Sequence, residues 1–218
     1  MTKEAIINRL NELSIGMFSS NFNELTEKQA YRVSCIMLRS ILAEKRKAFK
    51  DEQKGKEHKQ VYYLSMEFLV GTSLKNNLFN LGIEEAFEEI MKEQGFDAER
   101  IYALDPDAGL GNGGLGRLAS CYMDSLTGED FPAIGFSIRY EFGIFKQKII
   151  DGWQTEMPDN WLDMGEVWLQ PREDKSYEVR FGGKVSEWYD NGRFKIAQTD
   201  YQSVKAVPYD MYISGYNS

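Results

Sequence analysis

Histidine is almost absent from this chain of 218 residues, where His58 is the only one. A Ser-His-Asp triad, a Cys-His pair or a histidine-based metal site would have to use that one residue. Its surroundings, "KDEQKGKEHKQ", offer no nucleophile or ligand at useful spacing and read as a solvated helix end or linker. Cysteine is nearly as scarce. Cys35 and Cys121 fall within helical patterns, make neither a disulfide framework nor a zinc site, and read as inert thiols, so no metal is expected. Basic residues are outnumbered, 26 Lys and Arg against 34 Asp and Glu, for a formal net charge of -8. Neutralising a polyanion needs a basic face, so nucleic acid and an anionic membrane surface are both disfavoured. No apolar run approaches the roughly 18 residues that span a bilayer. The opening "MTKEAIINRLNEL" is amphipathic without a signal peptide's apolar core, which points to a cytoplasmic address.

Glycine, by contrast, is concentrated. In "DAGLGNGGLGRLASCYMDSL", Gly109, Gly111, Gly113, Gly114 and Gly116 leave the backbone free to take positive φ and to approach a ligand closely. From Leu115 the apolar positions Leu115, Leu118, Ala119, Tyr122, Met123 and Leu126 follow the stripe of a buried helix face, with Gly128 as the stop. A glycine loop feeding a helix N-terminus presents unpaired N–H groups and the positive end of the helix dipole, so the expected guest is a phosphate. The loop matches G-x-G-x-x-G twice, yet a dinucleotide fingerprint follows directly on a buried strand, and here "LDPDA" precedes it. No Gly-Lys-Ser/Thr ending supports a P-loop. The plainer alternative is that the glycines only permit tight helix packing.

Three segments follow from the patterning. Residues 1–60 read as helical: Ile6, Ile7, Leu10 and Leu13 share one face, and Thr26 with Gln29 forms a capping box before Ala30, Val33, Met37 and Ile41. Residues 61–164 read as an α/β core containing the glycine loop. "VYYLSMEFLVG" reads as a buried strand, two helices close at Gly82 and Gly95, and "FPAIGFSIRYEFG" and "IFKQKII" read as strands before an Asp151-Gly152 turn. Residues 165–218 read as an incomplete β-meander, and the ending "PYDMYISGYNS" suggests an interrupted chain.

Several side chains stand out. Glu67 lies in the apolar "LSMEFLVG", where a carboxylate must be hydrogen-bonded, paired with an arginine at an edge, or exposed in a site. Asp105 and Asp107 precede the glycine loop. They would repel a phosphate, and are expected to fix the turn by accepting backbone amides. Arg139 and Glu141 would share a strand face as an ion pair. Trp153, Trp161 and Trp168, with Asp159, Asn160 and Asp163, suit either a sugar platform or an ordinary core. A two-carboxylate glycosidase could be drawn from the same acids, although sequence spacing does not establish the separation it needs.

Together, "VYYLSMEFLVG", "LDPDAGLGNGGLGRLASCYMDSL", "SIRYEFGIFKQKIIDGWQ" and "DNWLDMGEVW" resemble, in order and spacing, the N-terminal part of the α-glucan phosphorylases of glycogen, starch and maltodextrin. The resemblance covers nearly the whole chain and is weakest over its first 55 residues. It implies an α/β fold: the N-terminal Rossmann-like lobe of a two-lobed GT-B glycosyltransferase, with a β-rich C-terminal segment. It also implies cleavage of terminal α-1,4-glucosidic bonds by inorganic phosphate, releasing glucose 1-phosphate. By the family's pattern, the amides of Gly113, Gly114 and Leu115 would hold the substrate phosphate. Asn112 would shape the loop, Glu67 would lie near the sugar subsite, and Arg117 would support the helix start.

The family's cofactor is pyridoxal 5'-phosphate, whose phosphate relays a proton. Gly113 would border it, whereas the Schiff-base lysine and the phosphate-clamping cations belong to later family segments that nothing here matches. The chain alone is therefore expected to be inactive, the full-length form a homodimer. Gly71-Thr72 replaces a Gly-Arg common in the family, and neither a phosphoserine motif nor recognisable nucleotide-effector residues are present. The alternatives are a non-catalytic carbohydrate-binding remnant, in which Trp153 or Trp161 would hold glycogen, and a Rossmann nucleotide binder.

Overall fold

A computed structural model describes residues 1–57 and 59–216, so His58 lies outside the described residues. The chain divides into two compact units, Met1–Trp168 together with Met211–Ser218, and Leu169–Asp210.

The larger unit begins with two long helices. Thr2 caps α1 (Lys3–Phe18) by accepting the Ala5 amide at 3.3 Å, and the left-handed Ser19 ends it. At α2 (Glu27–Glu52), the Gln29 carboxamide accepts the Thr26 amide at 2.9 Å, and Thr26 Oγ1 accepts the Gln29 amide at 3.4 Å. That reciprocal box satisfies two of the donors a helix start leaves free. The strand β1 (Val61–Leu64) follows, then α3 (Leu74–Asn80), α4 (Glu84–Glu93) and α5 (Ala98–Tyr102). Left-handed Gly82 and Gly95 close α3 and α4. The apolar stripes of these helices interlock into one core: Ile6 and Leu10, Val33, Met37 and Leu38, Leu74 and Leu78, Phe87, Ile90 and Met91, joined by Val167 and Trp168. Each such side chain contributes about 1.5 to 3 kcal/mol on burial.

A buried carboxylate crosses this core. Asp105 accepts the Tyr31 hydroxyl at 2.7 Å, the Trp168 indole N–H at 3.0 Å and the amides of Ser73 and Leu74 at 2.6 Å each. It caps the start of α3, where Ser73 supplies no side-chain cap of its own. Burial, with Cys35 and Asp105 beside it, drives the Tyr31 phenol far above its ordinary value. Asp105 thus accepts backbone amides as expected, but those of a distant helix and not of its own turn; Asp107 is exposed and accepts none among the described residues.

The helix α6 (Gly114–Gly128) leads to β2 (Ala133–Phe136), which pairs in parallel with β1, Val61 opposite Ala133 and Leu64 opposite Phe136. Phe68, Ala119 and Met123 form a second, smaller core beneath this pair. Both strands are shorter than their apolar runs suggest. After a last ladder bond from the Ser65 amide to the Phe136 carbonyl, the two segments part. The Met66 carbonyl accepts side-chain hydroxyls, the Phe68 and Leu69 amides go to Leu110 and Gly116, and the Tyr140 carbonyl goes to the Trp161 indole. Arg139 and Glu141 therefore share no strand face, and Arg139 pairs with Glu166 at 3.3 Å. The hairpin of β3 (Gly143–Ile150) and β4 (Trp153–Asp159) and the short α7 (Leu162–Gly165) complete the run to Trp168. Among the described residues no helix is long and apolar enough to cross a membrane.

The smaller unit is a ribbon with nested pairing, unlike the sequential pairing of a meander. Here β5 (Gln170–Pro171) pairs with β10 (Tyr209–Asp210), β6 (Tyr177–Phe181) with β9 (Gln202–Ala206), and β7 (Lys184–Asp190) with β8 (Arg193–Thr199), all antiparallel. Positive φ at both Asn191 and Gly192 gives the tight turn at its tip the twist that the strands need. Arg172 gathers its base, bonding Asp174 through Nε and Nη2 and Asp210 through Nη1.

Candidate functional site

The glycine loop lies over residues 67–69. Phe68 donates its amide to the Leu110 carbonyl at 2.8 Å, and Leu69 donates to the Gly116 carbonyl at 3.0 Å. A Cβ on Gly111 would meet the Leu69 backbone at 2.5 Å, and one on Gly116 would meet the Glu67 carboxylate at 2.9 Å. Gly109 is filled in the same way by the Trp161 indole. None of the five loop glycines adopts positive φ, so the expected use of their conformational freedom is corrected: three serve close approach of neighbouring groups.

Gly113 and Gly114 differ. A Cβ on either would meet nothing within 4 Å, and both are exposed together with Asn112 and Leu115. Gly113 is the N-cap of α6 in an extended conformation and offers no capping side chain. The first amides of a helix have no carbonyl one turn back, so those of Gly114, Leu115 and Gly116 depend on other partners. The helix dipole adds a favourable field for an anion at that end, about 0.3 to 2 kcal/mol.

Glu67 and Asn112 are brought together. Half-buried Glu67 accepts the Asn112 amide at 3.2 Å, so its partner is a backbone N–H and not an arginine. Arg117 supports the same region from the first turn of α6, donating Nη1 to the Leu69 carbonyl at 3.3 Å. Nothing strand-like precedes the loop, which follows α5 and a turn, so the G-x-G-x-x-G spacing lacks the setting of a dinucleotide site. A polar cavity along the flank of α6, lined by Thr72, Asn76, Arg117, Cys121, Asp124 and Tyr212, does not include Gly113, Gly114 or Leu115.

The tryptophans do not gather into a sugar platform. Trp161 and Trp168 are buried, and their indole N–H groups are taken by the Tyr140 carbonyl and by Asp105. Trp153 is 77 % exposed on the β3–β4 hairpin. Among the described residues no group of three or more His, Cys, Asp or Glu is placed to hold a metal ion. Sequence reasoning missed Ser137 and Tyr140, whose hydroxyls both reach the Met66 carbonyl; their signal was a polar residue at each end of "SIRY", inside a run read as strand.

A family model described as carbohydrate phosphorylase matches residues 91–218, which include the whole glycine loop. The chain belongs to the carbohydrate phosphorylase family. Among its phosphorylase relatives, a glycogen phosphorylase of Bacillus subtilis is 40% identical over 198 residues, 91% of this chain and 25% of that protein. One of Chlamydia pneumoniae is 48% identical over 161 residues, 73% of this chain and 20% of that protein. The brain form of Homo sapiens is 44% identical over 163 residues, 75% of this chain and 19% of that protein. This phosphorylase-family chain therefore spans about a fifth to a quarter of the length of these relatives.

Proposed function

We propose that this chain supplies the phosphate-holding part of an α-glucan phosphorylase, an enzyme that uses inorganic phosphate to cleave terminal α-1,4-glucosidic bonds and release glucose 1-phosphate. The observation that carries the reading is the division within the glycine loop. Gly109, Gly111 and Gly116 are closed by neighbours, while Gly113 and Gly114 stay open at the uncapped start of α6. A phosphate fits that opening, accepting N–H groups from Gly113, Gly114 and Leu115. Asn112 and Glu67 act beneath it by fixing the loop's course.

The chemistry asks for aimed dipoles more than for a nucleophile. A phosphate attacking an oxocarbenium-like sugar needs donors held in place before the charge moves, and such preorganised donors typically contribute about 3 to 4 kcal/mol each. Backbone amides on a helix terminus meet that need without reorganising. The parallel β1–β2 pair joined through α3 to α6 is consistent with a Rossmann-like N-terminal lobe of a GT-B fold. The open amides fit the phosphate end of pyridoxal 5'-phosphate chemistry, and Gly113 would border that cofactor. Its phosphate supplies proton relay when bound. Because the opposing groups must be held in register across a closed cleft, the chain alone would not turn over glucan. The full-length form would be a cytoplasmic homodimer acting on α-1,4-glucan.

The deciding experiment is a phosphate titration of the 15N-labelled chain. Saturable shifts confined to the amides of Gly113, Gly114 and Leu115 and their neighbours are expected, whereas no shift there, or an equal response across the surface, would reject the site. Glucose 1-phosphate formed from glycogen and phosphate by the purified chain would reject the claim of inactivity. The carbohydrate-binding alternative retains one supporting observation, exposed Trp153. Glycogen retention lost in W153A would favour it.

A further inference from the structure

Two loops that leave the β1–β2 ladder meet at a single peptide unit. The Met66 carbonyl accepts Ser137 Oγ–H at 3.1 Å and Tyr140 Oη–H at 3.0 Å. The other end of that peptide, the Glu67 N–H, donates to Ser65 Oγ at 3.2 Å, and Ser65 Oγ–H donates to the Glu67 carbonyl at 2.8 Å. One peptide plane is thus gripped at both its carbonyl and its N–H. With ω planar, this fixes the N–Cα bond of Glu67, and the Ser65 bond to the Glu67 carbonyl restrains the φ rotation about it, so the carboxylate's approach to the Asn112 amide is held.

The loop that supplies Tyr140 is itself pinned. Trp161 donates its indole N–H to the Tyr140 carbonyl at 3.2 Å, and its ring fills the space beside Gly109. A rigid phenol on an anchored backbone transmits position better than a serine hydroxyl, which rotates to suit its surroundings. The 137–142 segment is therefore linked to the glycine loop at two points, Gly109 through Trp161 and Asn112 through Met66 and Glu67.

We infer that Tyr140 is a positioning residue for the glycine loop, acting through the Met66 carbonyl and Glu67, whose carboxylate holds the Asn112 amide, to direct the N–H groups of Gly113 to Leu115 toward a bound phosphate. The inference rests on the phosphate reading for its purpose, while the tether is a property of the chain without any ligand.

The test compares wild type, Y140F, E67A and the double variant of the 15N-labelled 218-residue chain. Two readouts are followed: exchange of the Asn112 amide with water, and inorganic phosphate titrated against the Gly113, Gly114 and Leu115 amides. Y140F keeps the ring and removes one donor. It should speed Asn112 exchange about five-fold, the effect of one net hydrogen bond, and weaken phosphate by a similar factor, with α2 amides unchanged. In the E67A background, Y140F should add nothing at Asn112, because both substitutions break the same path. Unchanged exchange in Y140F, or effects that simply add in the double variant, would overturn the inference. Should Y140F loosen the α2 amides as well, S137A, which removes the other donor to the same carbonyl, must shift Asn112 in the same direction; no shift then overturns it. Absence of phosphate shifts in wild type removes the phosphate reading alone, since the exchange data decide the tether by themselves.

Discussion

From α1 to α5 the apolar stripes find partners, whereas along the ribbon Leu169–Asp210 the strands carry theirs in the open. On α6 only Ala119 and Met123 of the expected buried face are buried, while Leu115, Leu118 and Tyr122 are exposed. Ile6, Leu10, Met37, Leu74, Phe87 and Met91 are fully buried, while Tyr177 is 69 %, Phe181 57 % and Tyr189 75 % exposed. Burial shapes the first region. In the second, ladder hydrogen bonds, the Asn191-Gly192 turn and ring pairs such as Tyr189–Phe194, with centroids 5.6 Å apart, do the shaping. A two-stranded ribbon with so little burial is marginal in water, so the two regions should differ in what breaks them.

The largest difference is expected from core truncation. Phe87→Ala should destabilise the helical region by about 3 to 5 kcal/mol in urea unfolding followed by circular dichroism. Tyr189→Ala on the ribbon, which removes the Tyr189–Phe194 ring pair, should cost no more than about 1 kcal/mol by the same measure. Equal effects would erase the contrast. Asp105→Ala comes next. It strips an acceptor from two side chains and two amides in a buried setting, for a loss of about 3 kcal/mol or more. An unchanged urea midpoint would mean those donors find other acceptors. Arg172→Ala, the corresponding break at the base of the ribbon, should leave helical ellipticity intact and appear as faster amide exchange in β5 and β10.

Titration should separate the regions in opposite directions. Burial raises the phenols of Tyr31 and Tyr102 in the folded chain, so their unfolded forms ionise first, near pH 10 or so. Stability of the helical region is therefore fully present below that point and lost as pH rises past it. In the ribbon, the Arg172 bond lowers Asp174, and Ser203 with Arg180 lowers Glu178. Their contribution is present above the ordinary carboxylate range and lost as pH falls through and below it, weakly and less so in high salt. Amide exchange across both limits checks the order. The smallest effect is chemical. Exposed Cys121 should react with a thiol reagent in the native chain, while buried Cys35, its thiol pushed up by burial, should react only on unfolding.

Much of the helical region could be read directly. The Thr26–Gln29 box, the stripe through Ala30, Val33, Met37 and Ile41, and the left-handed stops at Gly82 and Gly95 depend on residues within a few positions of one another. The glycine loop was legible as a site for the same reason, although its glycines were credited with the wrong property. The strands were harder. Residues 65–70 and 137–142 carry apolar and aromatic side chains in plenty, yet the Leu69 amide turns aside to the Gly116 carbonyl, the Glu67 carboxylate holds the Asn112 amide, and the Ser137 and Tyr140 hydroxyls hold the Met66 carbonyl. A run of β-formers says that a segment is extended and poorly solvated; it does not say which distant groups will compete for its amides.

By itself, then, the sequence determined where α2 starts and where α3, α4 and α6 stop, and that an open glycine turn feeds one of them, because capping and periodicity act over one or two turns. It did not reveal the run of α1 on to Phe18, nor α5 and α7. Only the tertiary structure decided the rest. It paired Arg139 with Glu166, sent Trp161 to the Tyr140 carbonyl and Trp168 to the buried Asp105 carboxylate, nested the ribbon's strands and separated three filled glycines from two open ones. Each of those outcomes depends on groups far apart along the chain arriving within a hydrogen bond of each other, and that proximity is created by packing the whole core rather than by any short stretch of it.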